Sequence, residues 1–163
     1  MTVSLISVLA DVLFMSGAGT KVTSIGSVTI AERNGKIVSL TVGTGYYSPV
    51  DGVVAAAFDQ LEEYLDGKRE TFDLDFVLKG TDFQMDVWSA LMKVPYGETV
   101  SYSELASLSG HPGASRAVGN AVGRNPIPVF VPCHRAIRND GRIGGYSLGT
   151  DIKGKLLKIE GIL

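Results

Sequence analysis

Ser101–Val122 reads S-Y-S-E-L-A-S-L-S-G-H-P-G-A-S-R-A-V-G-N-A-V. Its apolar spacing predicts two short helices, Ser101–Leu108 and Ala114–Val122, joined by Ser109-Gly110-His111-Pro112-Gly113. This is a helix–turn–helix pattern. Paired short helices also occur in proteins that never touch DNA, so the pattern bears on the fold before it bears on function. The second helix is unusual in content: Ala114, Ser115, Ala117, Gly119, Asn120 and Ala121 are small and surround a single Arg116. Glycine inside a helix costs roughly 1 kcal/mol relative to alanine. Gly119 therefore marks a close approach, either by a neighbouring core helix or by a nucleic-acid backbone. Small side chains cannot read base edges bidentately, so any DNA contact here is expected to follow shape rather than sequence.

Upstream, Thr81-Asp82-Phe83-Gln84 is a capping-box signature, with Gln84 able to reach back to the cap. Phe83, Val87, Trp88, Leu91 and Met92 form the apolar face of the helix it opens, and Pro95-Tyr96-Gly97 is expected to stop it. Further back, Ile25–Ile30, Asn34-Gly35 and Ile37–Val42 read as two strands joined by a tight turn. Val53–Leu65 has helical spacing at Val54, Phe58, Leu61 and Leu65, and ends at Asp66-Gly67. Phe72, Leu74 and Phe76 alternate with acids and predict a strand. Met1–Met15 has no basic residue before its apolar part and carries Asp11, so it is expected to be an N-terminal strand rather than a secretory signal. The expected fold is α+β: a small N-terminal α/β module (1–79), without a catalytic constellation of its own, packed on a mostly helical C-terminal domain (80–163) containing the helix–turn–helix.

Composition bounds the possibilities. The chain has 163 residues, 45% hydrophobic and 20% charged, enough for one ordinary domain or two small ones sharing an interface. No apolar run approaches the ~20 residues of a membrane span, so no membrane partner is expected. One cysteine excludes an intrachain disulfide, and one Cys with two His cannot supply the usual structural zinc ligands. No metal or other cofactor is expected, and a reducing, cytoplasmic setting fits. The net charge of −2 does not announce a nucleic-acid binder. The balance is uneven, though: 6 Lys+Arg against 10 Asp+Glu up to Gly80, and 9 against 7 from Thr81 onward. Arg116, Arg124, Arg135, Arg138 and Arg142 fall within one stretch. That is either ordinary surface fluctuation or a local basic face able to bind phosphates on an acidic protein.

Downstream, Asn125-Pro126-Ile127-Pro128 precedes Val129–Val131, a short β-prone run, and then Pro132-Cys133-His134-Arg135. A lone cysteine is most often a small buried hydrophobe. Against that, Cys133 is expected where an apolar strand leaves the core, and His134 and Arg135 bring positive charge that favours thiolate. Neighbours on a strand point to opposite faces, so sequence adjacency leaves both readings open.

P-C-H-R, with N-P-I-P before it and G-G-Y-S after it, resembles the O6-alkylguanine-DNA alkyltransferase (methylated-DNA–protein-cysteine methyltransferase) family. Y-G-E-T-V-S-Y-S-E-L-A, S-R-A-V-G-N-A-V and L-L-K-I-E-G follow that family's order and spacing, so the likeness covers about Thr81 to Gly161. The first half resembles it more loosely, through the Ile25–Val42 hairpin and L-E-E-Y-L-D-G-K. The resemblance implies a DNA repair protein that takes the alkyl group of O6-alkylguanine irreversibly onto Cys133, once per molecule, with O4-alkylthymine a minor substrate. His134 would take the thiol proton through a water, Glu160 would orient His134, and Asn125 would hold the turn carrying the cysteine. A base inside a duplex must be rotated out to be reached. The resemblance gives Arg116 the gap left in the stack. By the same resemblance Tyr102 would crowd the neighbouring phosphate and reach the guanine, Val122, Tyr146, Ser147 and Leu148 would line the base pocket, and Ser147 would donate towards O6 as charge develops there. Tyr102, Ser103, Ser115, Arg116, Gly119, Asn120 and Asn139 would meet the DNA, through the minor groove of a duplex. The protein is expected to act as a monomer. The family commonly has Gly where Leu148 stands, which puts acceptance of bulky adducts in doubt.

Three competing readings carry their own marks. A lesion-binding, non-repairing relative would lack the cysteine. A thiol hydrolase built on Cys133, His134 and Glu160 would turn over, whereas a thioether has no comparable leaving group and the protein would be consumed. A helix–turn–helix regulator would carry base-reading side chains on its second helix, which offers chiefly Arg116 and Asn120.

Overall fold

The computed structural model describes residues 17–43 and 47–163; the strand expected within Met1–Met15 lies outside them. Three strands, β1 (Gly17–Thr23), β2 (Gly26–Arg33) and β3 (Lys36–Gly43), form an antiparallel meander in the order β1-β2-β3. The β2–β3 hairpin turns on Asn34 (φ 51°) and Gly35 (φ 76°), the pair of left-handed residues that a two-residue turn requires. β1 went unread in the sequence because it offers little apolar alternation and two glycines. Gly19 has a packing reason: a Cβ there would lie 2.3 Å from Val50 Cγ1, so the bare backbone lets Val50 seat on the sheet.

Helix α1 (Gly52–Leu65) covers the sheet, burying Val54, Ala57, Phe58, Leu61 and Tyr64. Val28, Ile30, Ile37 and Leu40 meet that stripe in the core. Each such side chain removed from water contributes about 1.5–3 kcal/mol. Asp66 caps the helix, and Gly67 (φ 71°) turns the chain out of it. The strand expected around Phe72–Phe76 is not one. Its side chains do alternate between half-buried and exposed, but only one bridge, Ile37 to Phe76, ties it to β3. Ile37 N–H donates to Asp75 O and Val77 N–H to Ile37 O, at 2.8 and 2.9 Å. The segment keeps the alternation of a strand without a ladder.

Thr81 caps α2 (Asp82–Leu91) with the reciprocal box anticipated from sequence. The helix ends at Leu91, short of Pro95, and Met92, expected on the apolar face, is 47% exposed as its C-cap. Val87, Trp88 and Leu91 are core, and the Trp88 indole N–H donates to Ala121 O at 2.9 Å. Helices α3 (Tyr102–Leu108) and α4 (Ser115–Gly123) follow. The turn between them is tied to α2 by His111, whose Nε2 lies 2.9 Å from Asp86 Oδ2 and whose ring packs on Phe83.

Two-residue strands β4 (Val100–Ser101) and β5 (Ala136–Ile137) pair in parallel. That pairing sets the start of α3 beside the segment following Cys133. Helix α5 (Thr150–Ile159) closes the chain. The described residues thus form a mixed α/β molecule of five helices and two small sheets, and one continuous hydrophobic cluster runs through both halves.

Candidate active site

Beyond α4 the chain doubles back on itself. Asn125, buried, accepts from Ile127 N–H (3.0 Å) through its side-chain oxygen and donates to Val131 O (2.8 Å) through its amide. Val131 N–H returns to Ile127 O, and Leu40 N–H of β3 donates to Pro126 O. The β-prone run Val129–Val131 is therefore a turn, not a strand. Pro126, Pro128 and Pro132 withhold ladder donors, and Asn125 offers the backbone local partners instead. Val129 takes φ 75°, a conformation that a β-branched residue holds only under constraint and that costs of order 1–3 kcal/mol.

Cys133–Arg135 then make one turn of 3₁₀ helix. Successive side chains fan out about 120° apart on such a turn, so Cys133, His134 and Arg135 serve different surroundings. Cys133 is 1% exposed, deeper than the strand-end position expected for it. Burial pushes its thiol up; the Asn125 amide, the Tyr146 hydroxyl and the Lys153 ammonium offset part of that rise. The adjacent Arg135 does not activate it, because its guanidinium faces Glu160. At neutral pH the sulfur rests as a thiol, and a base must take its proton before it can attack.

The base stands in a closed network around Glu160, the C-cap of α5. Glu160 Oε1 accepts from Tyr64 Oη (2.7 Å), from Arg135 Nη2 (3.0 Å) and from His134 Nε2 (2.7 Å). Its Oε2 accepts from Arg135 Nε (3.0 Å) and Gly97 N–H (3.2 Å). Burial alone would raise the carboxyl; these donors outweigh it and hold it at about 2. An ionised carboxylate has no proton to give, so His134 Nε2 must carry the hydrogen between them. Burial outweighs the attraction of Glu160 and keeps the His134 pKa below its ordinary 6.5. The ring is thus neutral, with its lone pair on Nδ1, which is buried and has no hydrogen-bond partner among the described residues. Nδ1 is therefore free to accept a proton.

The remaining candidates gather round Cys133. The Tyr146 hydroxyl is buried without a hydrogen bond of ordinary geometry, near enough to Cys133 that burial and that sulfur together push its pKa well up. Tyr102, half-buried, is raised first by burial and then by Cys133, and its ring lies across Gly119, where a Cβ would come within 3.9 Å of it. Within this chain nothing approaches Gly119 closely enough to demand glycine: the nearest neighbour, the Tyr102 ring, would be in ordinary contact with an alanine there. Val122 is buried, Ser147 is exposed and Leu148 packs half-buried on the core. On the outer surface Ser103 N–H donates to Asn139 Oδ1 (3.1 Å), and the Ser103 and Ser115 hydroxyls lie 3.1 Å apart. Arg116 and Asn120 are exposed on α4. Of the five clustered arginines, Arg135 leaves the surface for the core; Arg138 and Arg142 flank Asp140, at 3.5 and 3.8 Å.

Two residues of the site escaped the sequence reading. Lys153 is fully buried, its ammonium donating to Ala136 O (2.6 Å) and Gly145 O (3.2 Å), and burial brings its pKa down to about 8. Tyr64 comes from the first half, in which no catalytic constellation was expected. The available signal was the same for both: a polar-tipped side chain on a buried helical stripe, which must find a partner inside. Among the described residues no group of three or more His, Cys, Asp or Glu could hold a metal ion.

Residues 82–162 match the family model for the 6-O-methylguanine DNA methyltransferase DNA-binding domain. The methylated-DNA–protein-cysteine methyltransferase of Mycobacterium tuberculosis (strain CDC 1551 / Oshkosh) is 43% identical over 143 residues, 83% of this chain and 87% of the relative. The chain belongs to the methylated-DNA–protein-cysteine methyltransferase family. The constitutive methyltransferase of this family from Bacillus subtilis (strain 168) is 42% identical over 156 residues, covering 88% of this chain and 94% of the relative. Among solved structures, Mycobacterium tuberculosis OGT in complex with DNA superimposes with a TM-score of 0.81 at 42% identity, over 88% of this chain and 92% of the other. Methyltransferases of this family act on a cysteine of their own chain, and Cys133 is the one cysteine here. No helix among the described residues is long and apolar enough to cross a membrane.

Proposed function

We infer that this methyltransferase repairs duplex DNA by moving the alkyl group from O6 of guanine onto Cys133. The observation that carries the reading is a buried thiol, one residue before a neutral histidine whose tautomer an ionised glutamate fixes. The proton leaves Cys133 through a bridging water for His134 Nδ1. The thiolate sulfur attacks the alkyl carbon; a carbon–sulfur bond forms as the carbon–O6 bond breaks, and the electron pair passes to the purine. Ser147 donates towards O6 as negative charge develops, the Tyr102 hydroxyl reaches the guanine, and the base regains a proton on leaving. Glu160 stabilises the His134 imidazolium while it lasts. Asn125 holds the turn under the sulfur.

Cys133 is buried, so the alkylated base must reach it past the groups that cover the sulfur, among them the Tyr146 hydroxyl of the segment between β5 and α5. Val122, Tyr146 and Leu148 would then wall the extruded base. α3 and α4 serve as the helix–turn–helix, entering the minor groove with Arg116 in the vacated stack and Ser103, Ser115, Gly119, Asn120 and Asn139 against the backbone. Residues 1–79 act as a support and 80–163 as the DNA-binding and reacting part. This division is one of roles, since the core is shared.

A thioether has no leaving group for water to displace, so the protein is spent in one event. Mixing it with a molar excess of O6-methylguanine duplex should give repair that stops at one lesion per protein. Continued turnover would favour the hydrolase reading instead.

A further inference from the structure

Among the described residues, the N-terminal half enters the buried network at Tyr64. Tyr64 is fully buried on α1, its ring set against Phe72 (5.2 Å between centroids), Tyr96 (6.2 Å) and His134 (6.4 Å). Packing alone would be served by phenylalanine, which has no hydroxyl to desolvate. The hydroxyl is not idle: it donates to Glu160 Oε1 at 2.7 Å and lies 3.2 Å from His134 Nε2. It thereby touches both partners of the orienting pair from a helix 70 and 96 residues away in sequence. We propose that Tyr64 is a positioning residue for alkyl transfer, its hydroxyl being the contact through which the first half sets the Glu160–His134 pair. This rests on the alkyltransferase reading above.

Geometry gives the hydroxyl two effects. Its oxygen offers the Nε2–H a second acceptor beside Oε1, which restrains the imidazole plane and keeps the lone pair on the buried Nδ1. Its hydrogen, given to Oε1, withdraws charge from the carboxylate oxygen that His134 uses. The groups around His134 are Glu160 and Lys153 from α5, Arg135 and Cys133 from its own turn, Tyr64 from α1, and Tyr146 from the segment before α5. Burial lowers the basicity of His134 most, Glu160 raises it, and Arg135 and Lys153 lower it. Losing the Tyr64 hydroxyl frees Oε1 to attract the imidazolium more strongly, so the histidine should become more basic while its ring is held less firmly.

The test uses the full chain in three forms: parent, Tyr64→Phe, and a chain carrying 3-fluorotyrosine, a stronger donor of almost the same shape, at position 64. Single-turnover methylation of Cys133 by an O6-methylguanine duplex is timed across about pH 5–9, where a histidine base titrates. Tyr64→Phe should move the acid limb of the profile upward by about half a pH unit and lower the plateau on the order of tenfold, with DNA affinity unchanged. The fluorinated chain should move the limb downward. A limb fixed at the parent position, whether the plateau holds or falls, would overturn the proposal, because loss of packing alone slows the reaction equally at every pH. If Tyr64→Phe does not fold, the fluorinated chain decides by the same criterion. A parent chain that never methylates Cys133 fails at an earlier point and removes the underlying reading as well.

Discussion

Burial works against the thiol at Cys133: it raises the pKa of the group that must ionise, and the same burial keeps His134 neutral and able to accept the proton. Both shifts favour the neutral thiol and imidazole over a standing thiolate, so the thiolate forms only when the proton is moved for the reaction. Lys153 joins this balance twice, by lowering the thiol pKa through its charge and by holding Ala136 O and Gly145 O together. Lys153→Met keeps the buried stem and removes the ammonium. It should raise the Cys133 pKa, read from the pH dependence of iodoacetamide labelling, and slow methyl transfer by about tenfold or more. Unchanged labelling would deny the lysine any electrostatic part. At this scale the sequence revealed less than it held. Cys133 and His134 were legible because their chemistry is written in adjacent letters. Arg135 was read as part of a surface charge cluster and as a neighbour favouring thiolate, because nothing local shows that its partner is a glutamate 25 residues on.

Among the elements, local signals read best where the physics is local. Thr81 and Gln84 cap α2 within one turn, and Asn34-Gly35 fixes a hairpin by backbone conformation alone. The Phe72–Phe76 and Val129–Val131 runs have strand-like side chains, but a strand is completed by a neighbour. One has a single bridge and the other is folded back by Asn125. The proposed DNA engagement places its stacking residue on α4. The Tyr102 ring lies at ordinary contact distance from Gly119, and Arg116 stands exposed on the same helix. If Arg116 fills the stack behind an extruded base, Arg116→Ala should slow repair in duplex DNA at least tenfold more than reaction with free O6-methylguanine base, for which no unstacking cost of a few kcal/mol arises. Equal slowing of both would place Arg116 outside the flipping step. Free O6-benzylguanine makes a second comparison: if Leu148 walls the base pocket, its side chain is expected to disfavour the benzyl adduct against the methylated base.

For the molecule as a whole, one network joins its two halves, α1 through Tyr64 and α5 through Glu160, so the site should report on global stability. Glu160 holds a folded pKa of about 2 against an ordinary 4.5, so the stability it contributes is complete above pH 4.5 and lost as pH falls towards 2. His134 is depressed below 6.5, so the unfolded chain takes up a proton that the folded chain refuses, and stability starts to fall as pH drops below 6.5. Both act in one direction. Urea unfolding should therefore show a free energy that declines steadily from neutrality into acid; a level or rising course between pH 6.5 and 4.5 would contradict these assignments. The mixed α/β architecture was legible from helical and turn spacing, while the joining of its halves was not, because Leu40 to Pro126 and Tyr64 to Glu160 are pairings over distances that no local pattern encodes. Repair itself is tested most directly by the intact mass of the protein after incubation with duplex DNA containing O6-methylguanine, followed by peptide mapping. The expected result is a gain of one CH₂ equivalent, a methyl in place of the thiol hydrogen, on the peptide bearing Cys133 and absent from Cys133→Ala. An unchanged mass, or a gain that persists in Cys133→Ala, would contradict the account.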